Sequence, residues 1–363
     1  MGAVLARATL PGTLAQVRHV APVRPNAAPD LVRRVYAQVE RDFGMLAPPV
    51  ILHSPAPPVL AACWLALRES LLARGAVARQ VKEAVATAVS RGNSCPYCVD
   101  VHRATLDALV RRGGAATDPR TSRIEEWARA AARRGEAASH ALPVPPDQAA
   151  ELIAVAVTFQ YLNRMVNVFL GDSPLPPGVP VRARKGLMRL FGLLMAPAAS
   201  RAATPGDSLS LLPDAPLPPD LSWARDVPHV AGAFARAAAA VEEAGRRSVP
   251  EPVRDLVTDV LDGWNGEPPG LGRAWVAGAV SVLPDRHRPA GRLALLTALA
   301  SYQVDEGVVD EFRRAEPDDR TLVELTAWAA MSAARRAGAW AHEARPHVGD
   351  RDTATTSSER TAR

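Results

Sequence analysis

The sequence predicts an all-α protein. Apolar residues recur at helical spacing along most of the chain, and the alternating β-branched runs that are typical of strands are absent. Alanine and arginine, which both favour helices, are abundant. The 363 residues are enough for two ordinary domains or one large one. With 48% apolar and 22% charged residues, the composition is that of a globular protein.

The first half is predicted to consist of helices separated by proline and glycine. After an irregular arm over residues 1–28, Asp30 can cap the first helix. Pro57-Pro58 suits the start of a buried helix that Gly75 ends. Further helices are predicted over residues 77–91, from Cys95 to about Arg112, and at about 120–135 and 147–169. Residues 29–170 are therefore interpreted as one helical domain.

The rest of the chain is predicted to hold a linker, a second helical domain and a tail. Residues 171–225 are rich in proline and contain a short basic helical stretch from Arg182 to Leu194. We expect its apolar side chains to bury together, namely Met188, Leu190, Phe191 and Leu193. Residues 226–345 are again helical, and residues 346–363 form a polar tail that we expect to be disordered.

The second domain is interpreted as a degenerate tandem copy of the first. Thr87-Ala88 recurs as Thr297-Ala298 and Val99-Asp100 as Val309-Asp310, at one common spacing. Tryptophans also match in order, Trp64 with Trp275 and Trp127 with Trp328. The copy replaces the four polar residues Glu83, Cys95, Cys98 and His102 with Leu293, Asp305, Val308 and Phe312. We therefore expect redox chemistry in the first half alone.

Charge and composition exclude several kinds of partner. The net charge is +5, but arginines alternate with acidic residues on the predicted helix faces, and no basic stripe is interleaved with aromatic residues. We therefore expect no nucleic-acid partner. No N-terminal signal segment and no uninterrupted apolar run of about 18 residues is present. The expectation is a cytoplasmic protein without a membrane span.

The chemistry is concentrated in the run Ser94-Cys95-Pro96-Tyr97-Cys98-Val99-Asp100-Val101-His102. Cys95, Cys98 and His102 stand at i, i+3 and i+7, so they share one face of a helix. Both cysteines fall at the helix start, where the positive end of the dipole favours the thiolate. Glu83, on the preceding helix, can orient or charge the imidazole. These are the parts of a thiol redox site.

A zinc site is the main alternative for a C-x-x-C pair, but it usually draws on a second pair of ligands. The third cysteine, Cys63, lies beside Trp64 on an apolar helix and is interpreted as a core residue. His53 is interpreted as a loop or capping histidine. The sequence therefore predicts no metal site. Tyr97 can relay a proton or simply pack beside the site.

Three polar residues interrupt the apolar stretch from Leu152 to Leu170. They are Asn163, Arg164 and Asn167. Because buried polar groups need partners, this helix is a candidate wall of the active pocket. An amphipathic helix with one polar edge explains the pattern equally well.

The spacing Glu83, eleven residues, Cys95-x-x-Cys98, three residues, His102 resembles the motif of the alkylhydroperoxidase D-like branch of the carboxymuconolactone decarboxylase family. The resemblance covers about residues 30–170 and implies a helical bundle without a cofactor. By position, it implies that Cys98 is the peroxide-reactive thiol, Cys95 the resolving thiol, and Glu83 with His102 the proton relay. The founding peroxidases carry a second histidine where this chain has Tyr97.

The resemblance thus implies a peroxidase that reduces hydroperoxides through a Cys95/Cys98 dithiol–disulfide cycle. It also implies a thioredoxin-like or lipoyl-bearing protein as the reductant, and a homo-oligomer. Lactone decarboxylation is not expected, since the decarboxylase branch typically lacks the C-x-x-C. Two other functions stay open. One is a protein or lipoyl disulfide reductase or redox relay, and the other is a non-catalytic oligomerisation or redox-sensing module.

Overall fold

The fold was analysed in a computed structural model, which describes residues 10–113, 119–140, 142, 144–176 and 178–343. Within these residues the chain is all-helical, as the sequence predicts, and its one β-bridge, between Ala73 and Ala203, is isolated. The predicted disordered tail, residues 346–363, lies outside the described residues, as do residues 1–9 of the predicted arm.

The helices of the first half follow the predicted order. They are α1 (Asp30–Phe43), α2 (Pro48–Ile51), α3 (Pro57–Leu67), α4 (Arg79–Gly92), α5 (Pro96–Gly113), α6 (Pro119–Ala130), α7 (Arg134–Ser139) and α8 (Pro146–Phe169). The second half adds α9 (Val181–Ala199), α10 (Pro228–Ser248), α11 (Glu251–Gly263), α12 (Ala274–Val280), α13 (Arg288–Ala300), α14 (Glu306–Arg313) and α15 (Asp319–Glu343).

Two long helices, α8 and α15, pack against each other at the centre of the molecule. Gly338 on α15 allows the close approach, because a Cβ there would lie 2.5 Å from Cγ2 of Val157 on α8. By length and composition α8 is apolar enough to cross a membrane, yet 94% of its most apolar stretch is buried among other helices of the chain. One hydrophobic core spans both halves. The boundaries at residues 170 and 226 stay predictions.

The segment that carries the cysteines is a helix–break–helix unit. Helix α4 ends at Gly92, and Ser94 in the break has a left-handed φ of 51°. This conformation reverses the chain so that α5 begins at Pro96, a residue suited to the first turn because it has no N–H to satisfy. The break therefore places Cys95 immediately before α5 and Cys98 within its first turn.

Helix α9 is longer than the predicted stretch and is packed differently. It lies along α5 through small residues, and a Cβ at Gly192 would approach the Ala104 carbonyl oxygen to 2.3 Å. Leu190 and Leu193, expected to be buried, are 51% and 48% exposed, so that prediction was wrong. The reason is that the apolar residues of α9 from Leu187 to Met195 are distributed around the helix, interrupted by Arg189, while α5 packs against one side.

The second half contains a matching helix–break–helix unit in α13 and α14. Asp305 precedes α14 as Cys95 precedes α5, and its side chain accepts a hydrogen bond from the Val308 N–H at 3.1 Å. Leu293, Val308 and Phe312 are buried in the core, where the first half has Glu83, Cys98 and His102. This unit supports the predicted repeat.

The matched tryptophans do not support the repeat. Trp64 lies on α3, a buried helix that continues into a π-helical turn over Arg68–Leu72, whereas Trp275 lies on the seven-residue α12. Trp127 lies on the 12-residue α6, and Trp328 lies on the 25-residue α15. These helices differ too much in length and surroundings to be equivalent.

Candidate active site

The two cysteines of the motif lie side by side as buried free thiols. The Cys95 N–H donates to the Ser90 carbonyl oxygen at 3.0 Å, which ties the break to the end of α4. Cys98 contacts the Cys95 sulfur and the amide of Asn163 by hydrogen bonds. The pair is therefore a reduced dithiol on a fixed backbone, which suits reversible disulfide formation.

The expected thiolate is not favoured at Cys98. Burial raises its pKa well above the ordinary value, and the hydrogen bond and charge of Cys95 raise it further. The Asn163 amide acts in the opposite direction but does not outweigh them. The expectation from the helix dipole is wrong for Cys98, because desolvation of a sulfur enclosed by apolar side chains outweighs the dipole. Cys98 rests as a thiol and needs a nearby base to ionise.

A buried histidine, paired with a carboxylate, lines the same cavity as Cys98 and can act as this base. His102 Nδ1 and Glu83 Oε2 are 2.7 Å apart, which brings together α5 and α4 as the sequence predicts. Glu83 is 1% exposed. His102 packs edge-on against Phe159, with ring centroids 4.5 Å apart. With Nδ1 directed at Glu83, Nε2 has no hydrogen-bond partner among the described residues and can exchange a proton with a substrate.

Arg79 binds the same carboxylate and is the third member of this group. Its guanidinium lies 2.7 Å from Oε1 of Glu83, one helical turn away. Burial alone would raise the pKa of Glu83, but the charges and hydrogen bonds of Arg79 and His102 outweigh it and lower that pKa. Glu83 is therefore held as a carboxylate. The sequence analysis missed Arg79, although its i, i+4 spacing from Glu83 is a recognisable signal.

Cys98 and His102 both line one small cavity of about 80 Å³. Most of its other walls are apolar, and helix α9 closes one side with Phe191 and Met195. Phe43, Met45, Val50, Leu67, Val101, Phe159, Leu162 and Pro174 also contribute. A site of this kind accommodates the hydrocarbon part of a ligand beside a thiol and an imidazole.

Tyr97 lines the same cavity but is fixed by a hydrogen bond. Its hydroxyl donates to Oε1 of Gln16 at 2.9 Å, a contact with the N-terminal arm that the sequence analysis did not anticipate. Burial raises the pKa of Tyr97, and the neighbouring cysteines raise it further. Because the phenol stays protonated, packing and positioning describe Tyr97 better than proton relay.

Two of the three polar residues of α8 belong to the network behind the cysteines. The Asn163 amide donates to Ser90 Oγ and accepts from Asn93 Nδ2, both at 3.0 Å. Asn167 Nδ2 donates to the Asn93 carbonyl oxygen at 3.2 Å and to Ser301 Oγ at 3.0 Å. These contacts hold the break over Gly92–Ser94 against both halves of the chain.

Arg164 points away from the cysteine cavity. Its Nε donates to the carbonyl oxygen of Ala298 at 2.8 Å, and its Nη1 donates to Gln160. It therefore belongs to a different part of the molecule, where it lines a second cavity together with Trp264.

The candidate zinc ligands are absent from the lining of the cysteine cavity. Cys63 is buried in α3, and burial raises its pKa strongly. His53 is buried, with Nδ1 3.1 Å from the Val50 carbonyl oxygen, and it stacks on Tyr161 with ring centroids 5.7 Å apart. Among the described residues, no group of three or more His, Cys, Asp and Glu side chains has the arrangement of a metal site.

Comparison with known proteins was made for the whole sequence. The model of the carboxymuconolactone decarboxylase family matches residues 58–144, which include α4, the break and α5. The chain is also 39% identical over 335 residues to the alkyl hydroperoxide reductase of Mycobacterium tuberculosis. That alignment covers 89% of this chain and 94% of the relative, so the similarity extends through both halves.

Proposed function

The chain belongs to the carboxymuconolactone decarboxylase family, and we propose that it is a thiol peroxidase that reduces hydroperoxides through Cys95 and Cys98. The observation that carries the proposal is the Cys95–Cys98 dithiol, of which Cys98 lines an apolar cavity beside the group Arg79, Glu83 and His102. The name of the relative, alkyl hydroperoxide reductase, supports the same activity for this chain.

The reaction begins with transfer of the Cys98 proton to His102, which Glu83 orients. The Cys98 sulfur attacks the terminal oxygen of the hydroperoxide, so that an S–O bond forms and the O–O bond breaks. The departing alkoxide takes a proton from His102 and leaves as the alcohol. Cys98 is then a sulfenic acid. His102 acts first as general base and then as general acid, while Glu83 holds its Nδ1 proton.

The second half of the cycle closes the disulfide. The Cys95 sulfur attacks the Cys98 sulfur, and the sulfenic oxygen leaves as water. Two electrons have then passed from the dithiol to the peroxide. An external dithiol, carried by a thioredoxin-like or lipoyl-bearing protein, returns the disulfide to two thiols by exchange.

A different cavity, polar and about 430 Å³ in volume, lies at the Cys95 end of the motif. Ser94, Pro96 and Tyr97 line it together with Arg18 and Asp305. We propose that the reductant approaches here, since an exchanging dithiol needs a wider and wetter approach than an alkyl hydroperoxide. The same cavity favours the second candidate function, a disulfide reductase or redox relay that acts on protein or lipoyl disulfides.

The deciding experiment is a stopped-flow reaction of the reduced protein with cumene hydroperoxide, followed by alkylation and mass measurement. The wild type should lose two thiols to one internal disulfide that a dithiol reverses. Cys98→Ser should abolish the reaction, and Cys95→Ser should stop at a sulfenic acid. Cys63→Ser is the matched control, since Cys63 is buried outside the cavity, and it should react normally.

Two results would redirect the proposal. If Cys98→Ser kept full peroxidase turnover, the assignment of the reactive thiol would be wrong. If the wild type were inert to hydroperoxide but exchanged readily with lipoyl disulfides, the reductase would be the better account. Inertness in both assays would leave a redox-sensing or oligomerisation module.

We also propose a homo-oligomer in the cytoplasm. The outward face of α9 exposes Leu187, Leu190, Leu193 and Leu194, and contiguous apolar surface of this kind is a common mark of a protein interface. A reducing compartment suits a dithiol that must be regenerated after each turnover.

A further inference from the structure

Arg164 is a buried cation without a carboxylate. The residue is 6% exposed, and its protein partners are the Ala298 and Gln160 oxygens. The face of Trp264 lies 6.0 Å from its guanidinium carbon. Among the described residues, no Asp or Glu forms an ion pair with it. Buried charges in proteins are normally paired with an opposite charge, so the surroundings of Arg164 lack a negatively charged partner.

The guanidinium stays charged despite its surroundings. Burial lowers the pKa of Arg164 to about 10, which is still far above neutral pH. The Ala298 carbonyl lies near the end of α13, where the helix dipole contributes part of a negative charge. This compensation is partial, because a helix terminus carries about half an elementary charge.

The free edge of Arg164 borders a cavity of about 90 Å³ whose mixed polar and apolar lining contains three arginines. Nη2 has no hydrogen-bond partner among the described residues, whereas Nε and Nη1 are both occupied. Arg129 and Arg133 line the same cavity, and no Asp or Glu is among the lining residues. Arg129 is exposed and forms no ion pair within the part of the chain described, whereas Arg133 already pairs with Glu136 at 2.8 Å and lies 3.7 Å from Glu267.

We propose that this cavity binds a small oxyanion, a carboxylate or a phosphate, which Arg164 holds at its base and Arg129 holds at its rim. The planar guanidinium fork matches both oxyanions, and burial strengthens the attraction. The volume is several times that needed for one water molecule, which is enough for such a group.

The proposed site lies behind the break that precedes the dithiol. Gly92, Asn93 and Ser94 form part of its wall, and Asn93 is hydrogen-bonded to Asn163. A bound oxyanion would therefore brace the segment that positions Cys95. The site shares no lining residue with the cavity of Cys98 and does not depend on the peroxidase function.

The test is thermal unfolding of the reduced full-length protein in sodium phosphate, sodium acetate and sodium chloride at equal ionic strength. We expect phosphate or acetate to raise Tm in a saturable way, because a ligand of the folded state stabilises it by mass action. Stabilisation by phosphate alone would identify a free phosphate site, and stabilisation by acetate would identify a carboxylate site. Phosphorus NMR line width provides an independent measure of phosphate binding.

Three variants make the test specific. Arg164→Gln should remove the stabilisation, and Arg129→Gln should raise the half-saturating concentration at least tenfold. Arg201→Gln changes an exposed arginine outside the cavity and should behave as wild type. If Arg164→Gln does not fold, the rim variant decides. An equal rise in chloride, or an unchanged response of the rim variant, would overturn the proposal.

Discussion

Glu83 is the residue on which the candidate relay depends, because two opposing influences set its ionisation. Burial favours the neutral acid, whereas Arg79 and His102 favour the carboxylate and prevail. A group whose pKa is lowered by folding stabilises the fold above its unfolded pKa, and this contribution is lost as pH falls through the folded-state pKa. The stability of the protein should therefore report on Glu83 in the acidic range.

The first prediction concerns Glu83→Gln. At neutral pH the variant should lose about 3 kcal/mol of unfolding free energy, because it leaves a buried histidine and a partly buried arginine without their carboxylate. The difference from wild type should narrow as pH falls below the ordinary value of 4.5, where the wild type loses its own ion pairs. Urea unfolding at a series of pH values measures this difference.

Glu243→Gln is the matched control, since Glu243 also pairs with an arginine but is exposed. It should leave the unfolding free energy almost unchanged at every pH. A Glu83→Gln difference that stayed constant from pH 7 down to pH 3 would show that folding does not lower the pKa of Glu83.

The second prediction concerns Arg79, which acts as a positioning residue through Glu83. Arg79→Met should raise the pKa of Glu83, since burial then dominates. The acidic limb of the pH profile of kcat/KM for hydroperoxide reduction should shift to higher pH, by about one to three pH units. Arg79→Lys should restore much of the wild-type profile. A loss of activity with an unmoved acidic limb would indicate a structural role only.

At the residue scale, the sequence was sufficient to predict which groups come together but not their ionisation. The i, i+3, i+7 spacing of the cysteines and His102 fixes a shared face once the segment is helical. The break between α4 and α5 is short, so the two helices pack against each other and bring Glu83 close to that shared face. The high pKa of Cys98 depends instead on burial by α8 and α9, which lie more than 60 residues further along the chain. The residues around Cys98 in the sequence therefore do not predict it.

At the scale of elements, α9 determines how closed the cavity of Cys98 is. Its inner face places Phe191 and Met195 in the cavity wall, and Gly192 between them allows contact with α5. A substitution that separates these two helices should therefore change both stability and substrate binding.

The third prediction is that Gly192→Ala displaces α9 from α5. The added Cβ would lie 2.3 Å from the Ala104 carbonyl oxygen, which backbone cannot tolerate. We expect a loss of about 1–3 kcal/mol in unfolding free energy. We also expect a higher KM for cumene hydroperoxide, because the apolar wall is opened, and a smaller effect on hydrogen peroxide. Urea unfolding and steady-state kinetics measure the two effects.

Gly186→Ala on the same helix is the control. Nothing lies within 4 Å of a Cβ at that position, so alanine should stabilise α9 by up to about 1 kcal/mol through its higher helix propensity. If both variants behaved alike, close packing of α9 on α5 would be disproved.

The order of the helices could be predicted because proline and glycine mark their ends. Pro57-Pro58 and the break over Gly92–Ser94 are where the sequence places them. The extent of α9 could not be predicted in the same way, since its stretch continues through Pro197 to Ala199. Which of its faces is covered depends on α5, and because apolar residues lie on several faces of α9, their spacing does not show which face is buried.

At the scale of the whole molecule, the two halves have different roles within one core. The second half also contains a helix–break–helix unit, in which Leu293, Val308 and Phe312, all buried, stand at the positions matched to the relay. Its α13 and α15 pack against α8, and Ala298 of α13 and Ser301 just after it accept hydrogen bonds from Arg164 and Asn167. Removal of the second half should therefore expose the core of the first, rather than release an independent redox domain.

The last prediction concerns the outward face of α9 and the proposed homo-oligomer. Leu190 and Leu194 are 51% and 58% exposed and lie one turn apart. Burying a leucine contributes about 1.5 kcal/mol or more, so Leu190→Lys with Leu194→Lys should weaken self-association at least a hundredfold. Sedimentation velocity over a range of protein concentrations measures the change.

Leu271→Lys provides the control for that experiment, because Leu271 is 98% exposed and lies outside α9. It should leave the oligomer intact. Since Phe191 and Met195 face inward, the double lysine variant should keep its reaction with hydroperoxide even when it is monomeric. A wild type that stays monomeric at every concentration would remove α9 as an interface. A variant that dissociates and also loses the reaction would show that the oligomer holds α9 closed over the dithiol.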